Sequence, residues 1–334
     1  MADDLRIALS HGNGGRYMRE LIEQVFERHL GNPEMDTHAD AVPLSLEGGT
    51  PYFTTDGFTV QPLEFPGGSI GSLAVHGTVN DLAVAGATPR YLSLSALIEE
   101  GLPLAQLDRI VADLAAAARS SQVRVVAGDT KVVPRGHGGG LYLISAGVGV
   151  KPLDLNLGMA QVQPGDAILV SGPIGDHGIT VMLAREQFGL KGDLQSDNAS
   201  VLPLTRALLD LPGLRFMRDP TRGGLTGVAH ELARATGLAV RLWETEVPVR
   251  DPVCSVCEML GYDAYSLACE GRVVAVLSPE SADAALSRWL QLPSGVGAAR
   301  IGVMESGAGV VLETGLGGER FLEVLEDDQL PRIC

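Results

Sequence analysis

The sequence predicts an α+β protein with two domains, and three observations support this prediction. The chain has 334 residues, a length that favours two domains over one. Patterns typical of strands and of helices are mixed through both halves. The halves are separated by a junction with turn signals at 152–165. We therefore expect domains at 1–155 and 156–318, followed by a mobile tail at 319–334.

The first half carries a mixture of helical and strand patterns. Apolar residues at helical spacing predict a helix over 16–30, and a glycine-rich loop at 10–15 leads into it. The first predicted strand ends near Asp56, and the third stops at Gly128. The remaining helices are predicted at 69–86 and 104–119, and the strands at 51–60, 91–98, 123–127 and 141–150.

The second half begins with a strand and contains three motifs rich in glycine or charge. A strand at 167–171 follows the turn at 164–166. A further helical pattern begins near Leu225. The three motifs lie at 172–178, 218–224 and 268–271.

The composition restricts the classes of partner. Hydrophobic residues make up 45% of the chain, enough to fill a core without disulfide bonds. The 41 acidic and 25 basic residues give a net charge of −16, which argues against nucleic acids and anionic membranes because both bind cationic surfaces. No apolar stretch reaches the roughly 18–20 residues that span a bilayer. We expect no secretory signal, because no basic region followed by an apolar run opens the sequence. The four cysteines are unevenly spaced. We expect a cytoplasmic protein.

Three aspartates that follow or interrupt apolar runs are candidate magnesium ligands. They are Asp56, Asp81 and Asp129, and glycines adjoin the first and the last. Magnesium is usually held by a few carboxylates together with substrate phosphates, and glycines let a phosphate approach the backbone. The alternative interpretation is that each aspartate caps a turn or a helix.

The motif at 218–224 is a candidate anion site. It precedes a helical pattern, and the free amides of a helix start favour an anion. Arg222 can bind a phosphate through two hydrogen bonds, and Pro220 removes a donor that the first helical turn leaves unpaired. An ordinary helix start with a surface arginine explains the same residues. The loop at 10–15 supports a phosphate site only weakly.

Two other side chains are candidates for proton transfer or charge stabilisation. Glu270 follows an apolar stretch, and burial there would raise the pKa of its carboxyl toward the range of a general base. Lys131 follows Asp129 closely. Either residue can equally be structural. Cys254 and Cys257 have the spacing of half a zinc site, but no second pair exists, so packing explains them better.

The last residue, Cys334, lies at the end of the predicted tail. A thiol there is accessible, although no neighbour in the sequence activates it. It is either incidental or the carrier of a covalent group on a swinging arm, since about 10 extended residues reach roughly 33 Å.

Eight strings in order along the chain resemble the HypE family of hydrogenase maturation proteins. Asn13 is the one departure, since the family usually has glycine there, and this affects the contacts of the N-terminal loop. The strings, which run from Ser10 to Cys334, are SHGNGGR, FTTDGF, FPGGSIGSLAVHGTVNDLA, VVAGDTKVVPRG, SGPIGDHGI, RDPTRGGL, ACEGR and QLPRIC.

The resemblance implies a PurM-like fold, as in aminoimidazole ribonucleotide synthetase. The N-terminal domain, of mixed sheet and helices, would form a barrel with that of a second copy in a homodimer. The C-terminal domain would be an α/β sandwich. ATP would bind in grooves beside the barrel with Mg²⁺ on Asp56, Asp81 and Asp129. The nucleotide-binding residues would be Asn80, Asp81, Gly128, Asp129, Thr130, Asp219, Arg222, Gly14 and Gly15.

The implied reaction makes the cyanide ligands of nickel–iron hydrogenase. HypF, a carbamoyltransferase, would place a carbamoyl group on Cys334. The enzyme would use ATP to dehydrate this group to an S-cyanate, with Glu270 as the base and Lys131 stabilising charge. The cyano group would pass to the HypC–HypD complex.

Two other functions remain open from the residues. The first is a cyclo-ligase or small-molecule kinase of the same superfamily, whose activity would not need Cys334. The second is a non-catalytic carrier that only shuttles a group on its tail and turns over no ATP.

Overall fold

The chain forms two compact units. The computed structural model describes residues 6–12, 15–37, 39, 41–185 and 192–323. The first unit comprises the residues up to Leu82 and Ala87–Lys151. The second comprises Ala83–Gly86 and the chain from Pro152, so the division falls at the start of the predicted junction. No helix in the described ranges combines the length and the apolarity needed to cross a bilayer.

The first unit contains a four-stranded sheet, a short two-stranded sheet and helices. The helix predicted over 16–30 forms as α1, a π-helical segment Ile22–Glu27, and α2. The helices are α1 Arg16–Leu21, α2 Arg28–Leu30, α3 Ile70–Val84 and α4 Leu104–Ser120. The strands are β1 Thr50–Phe58, β2 Glu64–Phe65, β3 Gly68–Ser69, β4 Thr88–Glu99, β5 Arg124–Val133 and β6 Leu141–Lys151.

Helix α3 covers one face of this sheet. The strand order is β1-β6-β4-β5, and all pairs are antiparallel except β4 with β5. Glycines permit the close packing, because a Cβ on Gly147 of β6 would lie 2.7 Å from the Thr78 side chain of α3. The opposite face stays open: Phe53 and Ile144 are 69% and 38% exposed. Side chains alternate between the two faces along each strand.

The strand predicted to end near Asp56 ends two residues later, at Phe58, whereas the strand end predicted at Gly128 was wrong. Asp56 lies inside β1, paired with Ser145 of β6. Strand β5 continues through Gly128 and Asp129 to Val133, because β4 pairs with it along this whole length. Glycine does not end this strand: a Cβ on Gly128 would lie 2.6 Å from the Leu94 carbonyl oxygen, so the close backbone approach requires glycine.

The second unit is a seven-stranded sheet packed with helices. Its strand order is β13-β12-β9-β11-β7-β10-β8, and β7 and β10 are buried along their whole length. The helices are α5 Asp176–Ala184, α6 Leu202–Arg206, α7 Gly224–Thr236, α8 Asp251–Leu260 and α9 Pro279–Leu290. The strands are β7 Ala167–Val170, β8 Leu214–Arg218, β9 Ala239–Trp243, β10 Val274–Leu277, β11 Ala299–Glu305, β12 Val310–Glu313 and β13 Glu319–Phe321.

The predicted tail at 319–334 begins with residues that belong to this sheet. Strand β13 pairs with β12, and Leu322 is buried in the core of the second unit. The amide of Leu322 donates to the Val310 carbonyl at 3.0 Å. His230 of α7 holds the carbonyl of Leu322 at 2.9 Å through Nε2, which must carry the proton because a carbonyl only accepts. The fold therefore extends at least to Leu322.

Candidate active site

One pair of the predicted acidic residues lies at β1. Thr54 donates a hydrogen bond from its hydroxyl to Asp81 Oδ2 at 2.7 Å, which ties α3 to β1. Asp56 lies two residues along β1 from Thr54 and therefore on the same face of the strand. Asn80, which precedes Asp81 on α3, is buried. Asp56 and Asp81 therefore both lie at the β1 edge of the sheet, on the face that α3 covers.

Asp129 lies at the other edge and on the open face. It pairs with Ser95 in β4, whereas Asp56 shares the covered face with Ser145. Three strand intervals of roughly 4.8 Å separate β1 from β5, about 14 Å. The described residues accordingly hold no cluster of three His, Cys, Asp or Glu side chains able to bind a metal. A single copy of the chain does not gather the three predicted ligands.

Lys131 lies beside Asp129 on the open face. Its Nζ is 3.3 Å from Asp129 Oδ2, and both side chains are more than half exposed. The second carboxylate oxygen of Asp129 accepts a hydrogen bond from the Thr130 amide at 2.9 Å. The carboxylate and the ammonium group therefore face solvent together, where a phosphorylated ligand can reach them.

A cavity of about 290 Å³ adjoins this strand segment. Gly128, Asp129 and Thr130 are among the residues that line it. Its size is at the lower end of the range of small-molecule sites. Gly15, the N-cap of α1, has extended backbone, and Gly14 lies outside the described residues. The apolar residues of the cavity include Met18, Ile22, Phe26, Leu30, Met35, Val42, Leu94, Val125 and Val126.

In the second unit the three motifs of the sequence come together. The Cys269 amide donates to the Pro220 carbonyl at 3.0 Å. The Gly175 amide donates to Cys269 Sγ at 3.3 Å, and the Gly178 amide donates to the Ala268 carbonyl. Residues near 175, 220 and 269 therefore form one structure around the segment that carries Glu270.

Glu270 is buried, as its apolar neighbours predicted, with 2% of its surface exposed. Its backbone amide donates to Asp197 Oδ1 at 3.1 Å. The guanidinium of Arg272 lies 3.4 Å from Asp197 and 3.6 Å from Asp176. The side chains of both aspartates are 1% exposed. These three charged residues were not among the predicted site residues.

The candidate anion site lies where α7 begins. Gly223 and Gly224 have φ values of +72° and +58°, and a Cβ on Gly224 would lie 2.5 Å from the Leu267 carbonyl oxygen. Arg222 is exposed and Asp219 is buried. The prediction that Pro220 occupies the first helical turn was wrong, because α7 starts four residues later and Pro220 instead accepts the bond from Cys269.

The three described cysteines are free thiols. Burial raises the pKa of the Cys257 thiol to about 11, and it raises the pKa of Cys254 and, much more, of Cys269. Only the thiolate is a good nucleophile, so these thiols are inert at neutral pH. Cys334 lies outside the described residues.

Burial also raises the pKa of Asp176, to about 6 from an ordinary 3.8, although Arg250 and Arg272 lower it. The carboxyl group of Asp176 therefore binds its proton more tightly in the folded chain than in the unfolded chain. The resulting stabilisation is fully present below about pH 4 and is lost as pH rises through about 6. The shift corresponds to about 3 kcal/mol.

We expect Asp176→Asn to remove this pH dependence. The free energy of unfolding of the wild type, relative to the variant, should fall by about 2 kcal/mol between about pH 4 and pH 7, which is most of the full shift. Urea titrations of both chains at several pH values measure this difference in the free energy of unfolding. Asp210→Asn is the control with the opposite sign, since hydrogen bonds from Arg288 lower the pKa of Asp210. A pH-independent difference for Asp176→Asn would contradict the assignment.

Comparison with known proteins identifies the family. The N-terminal domain of AIR synthase related proteins matches residues 38–151, and the C-terminal domain matches residues 163–315. Carbamoyl dehydratase HypE of Azotobacter vinelandii is 47% identical over 337 residues, which cover 99% of each chain. The chain belongs to the HypE family of carbamoyl dehydratases.

Two solved HypE structures extend the match. Hydrogenase maturation protein HypE in complex with ATP is 44% identical, with a TM-score of 0.93, and the match covers 98% of this chain and 99% of that one. HypE in a HypE–HypF complex is 39% identical, with a TM-score of 0.80 and coverage of 91% and 99%. The predicted family, the PurM-like two-domain fold and the carbamoyl dehydratase activity are confirmed.

Proposed function

We propose that the chain dehydrates a carbamoyl group on Cys334 to an S-cyanate with ATP, and so supplies cyanide ligands for nickel–iron hydrogenase. The observation that carries the proposal is the match to a carbamoyl dehydratase over 99% of both chains. HypF is the proposed carbamoyl donor, in keeping with the HypE–HypF complex. The HypC–HypD complex is the proposed acceptor, and the cytoplasm, where ATP is made, is the proposed compartment.

The chemistry requires activation of the amide oxygen. That oxygen attacks the γ-phosphorus of ATP, ADP leaves, and the amide nitrogen loses one proton, which gives an S-bound imidate phosphate. The C–O bond then breaks, the nitrogen loses its second proton, and S–C≡N and phosphate form. Glu270 is the proposed base for the nitrogen. Its buried position favours proton transfer over exchange with bulk water.

The nucleotide-binding residues are proposed from the family resemblance. Phosphoryl transfer depends on positioning and charge neutralisation, and Mg²⁺, when bound, would screen the phosphate charges. The carboxylates of Asp56, Asp81 and Asp129 suit Mg²⁺, which needs only one or two of them alongside phosphate oxygens. Lys131 would stabilise negative charge on the transferred group. The remaining proposed nucleotide-binding residues are Asn80, Gly128, Thr130, Asp219, Arg222, Gly14 and Gly15.

A homodimer is part of the proposal. The open face of the first sheet is apolar around Phe53 and Ile144, and such a face in a monomer indicates a contact surface. Packing two such faces together would bring Asp129 of one copy to the β-sheet of another. This supports a barrel of two sheets with nucleotide sites beside it.

The test is the intact mass of the chain during reaction. We expect incubation with HypF, carbamoyl phosphate, ATP and Mg²⁺ to give an adduct of about +43 Da that falls to about +25 Da as water is lost. Once the carbamoylated chain has been isolated, removing ATP or chelating Mg²⁺ should stop the second step. Loss of water without ATP would contradict the proposed reaction. An adduct that never loses water would favour a simple carrier.

A further inference from the structure

A buried charge network holds the backbone on which Glu270 is carried. The Glu270 amide donates to Asp197 Oδ1 at 3.1 Å, a contact between residues 73 positions apart. Arg272, two residues after Glu270, lies 3.4 Å from the other oxygen of Asp197. Asp197 therefore contacts both the backbone amide of Glu270 and the side chain of Arg272.

Arg272 is itself fixed from several sides. Its Nε donates to the Pro173 carbonyl at 2.9 Å, and its guanidinium lies 3.6 Å from Asp176. Arg250, the residue before α8, lies 3.4 Å from Asp176 at the start of α5. The side chain of Arg272 is only 10% exposed. A planar guanidinium with five donors can serve several acceptors at once, which lysine cannot do.

The glycines of this region permit the close contacts. A Cβ on Gly271 would lie 1.9 Å from the Asp197 carbonyl oxygen, so any side chain would displace the segment. A Cβ on Gly172 would lie 2.9 Å from the Arg272 guanidinium. The backbone at Glu270 and Gly271 therefore fits closely against Asp197.

We propose that Asp197, together with Arg272, is the positioning pair for Glu270 in the dehydration step. Neither residue needs to touch the substrate; they fix the backbone from which the Glu270 carboxylate reaches the amide nitrogen. A displacement of about 1 Å at a reacting group can slow a reaction about 100-fold. The proposal rests on the proposed function of Glu270 as base.

The experiment measures single-turnover loss of water from the carbamoylated chain by intact mass. Asp197→Ala should slow this step about 10- to 100-fold and leave the rate of carbamoylation by HypF unchanged. Asp197→Asn, which keeps an oxygen that accepts from the Glu270 amide, should recover most of the rate. Asp210→Asn is the matched control, because it breaks an exposed aspartate–arginine pair with Arg288 and should have no effect.

A double-mutant cycle separates positioning from general destabilisation. In a Glu270→Gln background, Asp197→Ala should cause no further slowing, because the residue that it positions no longer acts as a base. Equal slowing in both backgrounds would overturn the proposal, as would a normal rate for Asp197→Ala. If Glu270→Gln itself loses water at the wild-type rate, the base assignment fails and the proposal fails with it.

A second variant keeps the test decisive if Asp197→Ala does not fold, since breaking a buried ion pair is strongly destabilising. Arg272→Lys retains the charge but loses the simultaneous contacts to Pro173, Asp197 and Asp176. It should slow loss of water at least 10-fold with Glu270 present and not at all in the Glu270→Gln background. A wild-type chain that never loses water would refute the proposed function itself, a different result from any of these.

Discussion

Cys334→Ser is expected to abolish the carbamoyl adduct completely and to leave ATP binding intact. Serine keeps the length of the chain and nearly the shape of the side chain. Its hydroxyl, however, is far less acidic than a thiol and does not supply the nucleophile that covalent catalysis needs. Intact mass after incubation with HypF, carbamoyl phosphate, ATP and Mg²⁺ should show the unmodified chain only.

The prediction concerns Cys334 and none of the three thiols that the structure describes. The three described thiols are poor nucleophiles, since burial raises their pKa values. Cys254 is the least buried of them and provides the matched control. Cys254→Ser should form the adduct at the wild-type rate. An adduct on the Cys334→Ser chain would mean that another residue carries the group.

The number of residues between Leu322 and Cys334 suits a carrier. Leu322 is fixed by the His230 imidazole and by the Val310 carbonyl. Twelve residues follow it to Cys334, and an extended chain of that length spans about 40 Å. The anchor on α7 is six residues from Gly224, about 9 Å along the helix. The reach of the chain therefore exceeds the distance from its anchor to the loops that surround Glu270.

Local patterns predicted the elements well and their ends less well. The strand at 123–127 was expected to stop at Gly128 because glycine weakens strands. In the structure the strand continues to Val133, because β4 pairs with it along this length. Glycine occupies position 128 because the Leu94 carbonyl leaves no room there for a side chain. Strand pairing depends on contacts between segments that are distant in the sequence. The periodicity of one segment therefore does not predict where a paired strand ends.

The same reason explains which parts of the site could be predicted. The burial of Glu270 followed from its apolar neighbours, a local property. Asp197 carries no motif, and its contact with Glu270 joins positions 73 residues apart. The separation of Asp56 from Asp129 depends on strand order, since β6 and β4 lie between β1 and β5. Spacing along the chain could not predict it.

Glu270→Gln is expected to trap the carbamoyl adduct. Removing a general base typically slows its step by about 100- to 10,000-fold, so the species at about +43 Da should accumulate while the species at about +25 Da is nearly absent. Glutamine has almost the same size, so the packing around the buried side chain should persist. A time course of intact mass with isolated carbamoylated chain measures the rate.

The control is Glu231→Gln, the same chemical change on α7, where Glu231 forms an exposed ion pair with Arg218 at 2.8 Å. It should lose water at the wild-type rate. The trapped state distinguishes Glu270 from the other components, because Cys334→Ser yields no adduct, whereas Glu270→Gln yields the adduct and stops before dehydration. If the variant instead loses water normally, the nitrogen gives up its protons to another group, and the buried position of Glu270 serves only the fold. The two variants together therefore assign the carrier to the thiol of Cys334 and the base to the carboxylate of Glu270, whose backbone amide donates to Asp197.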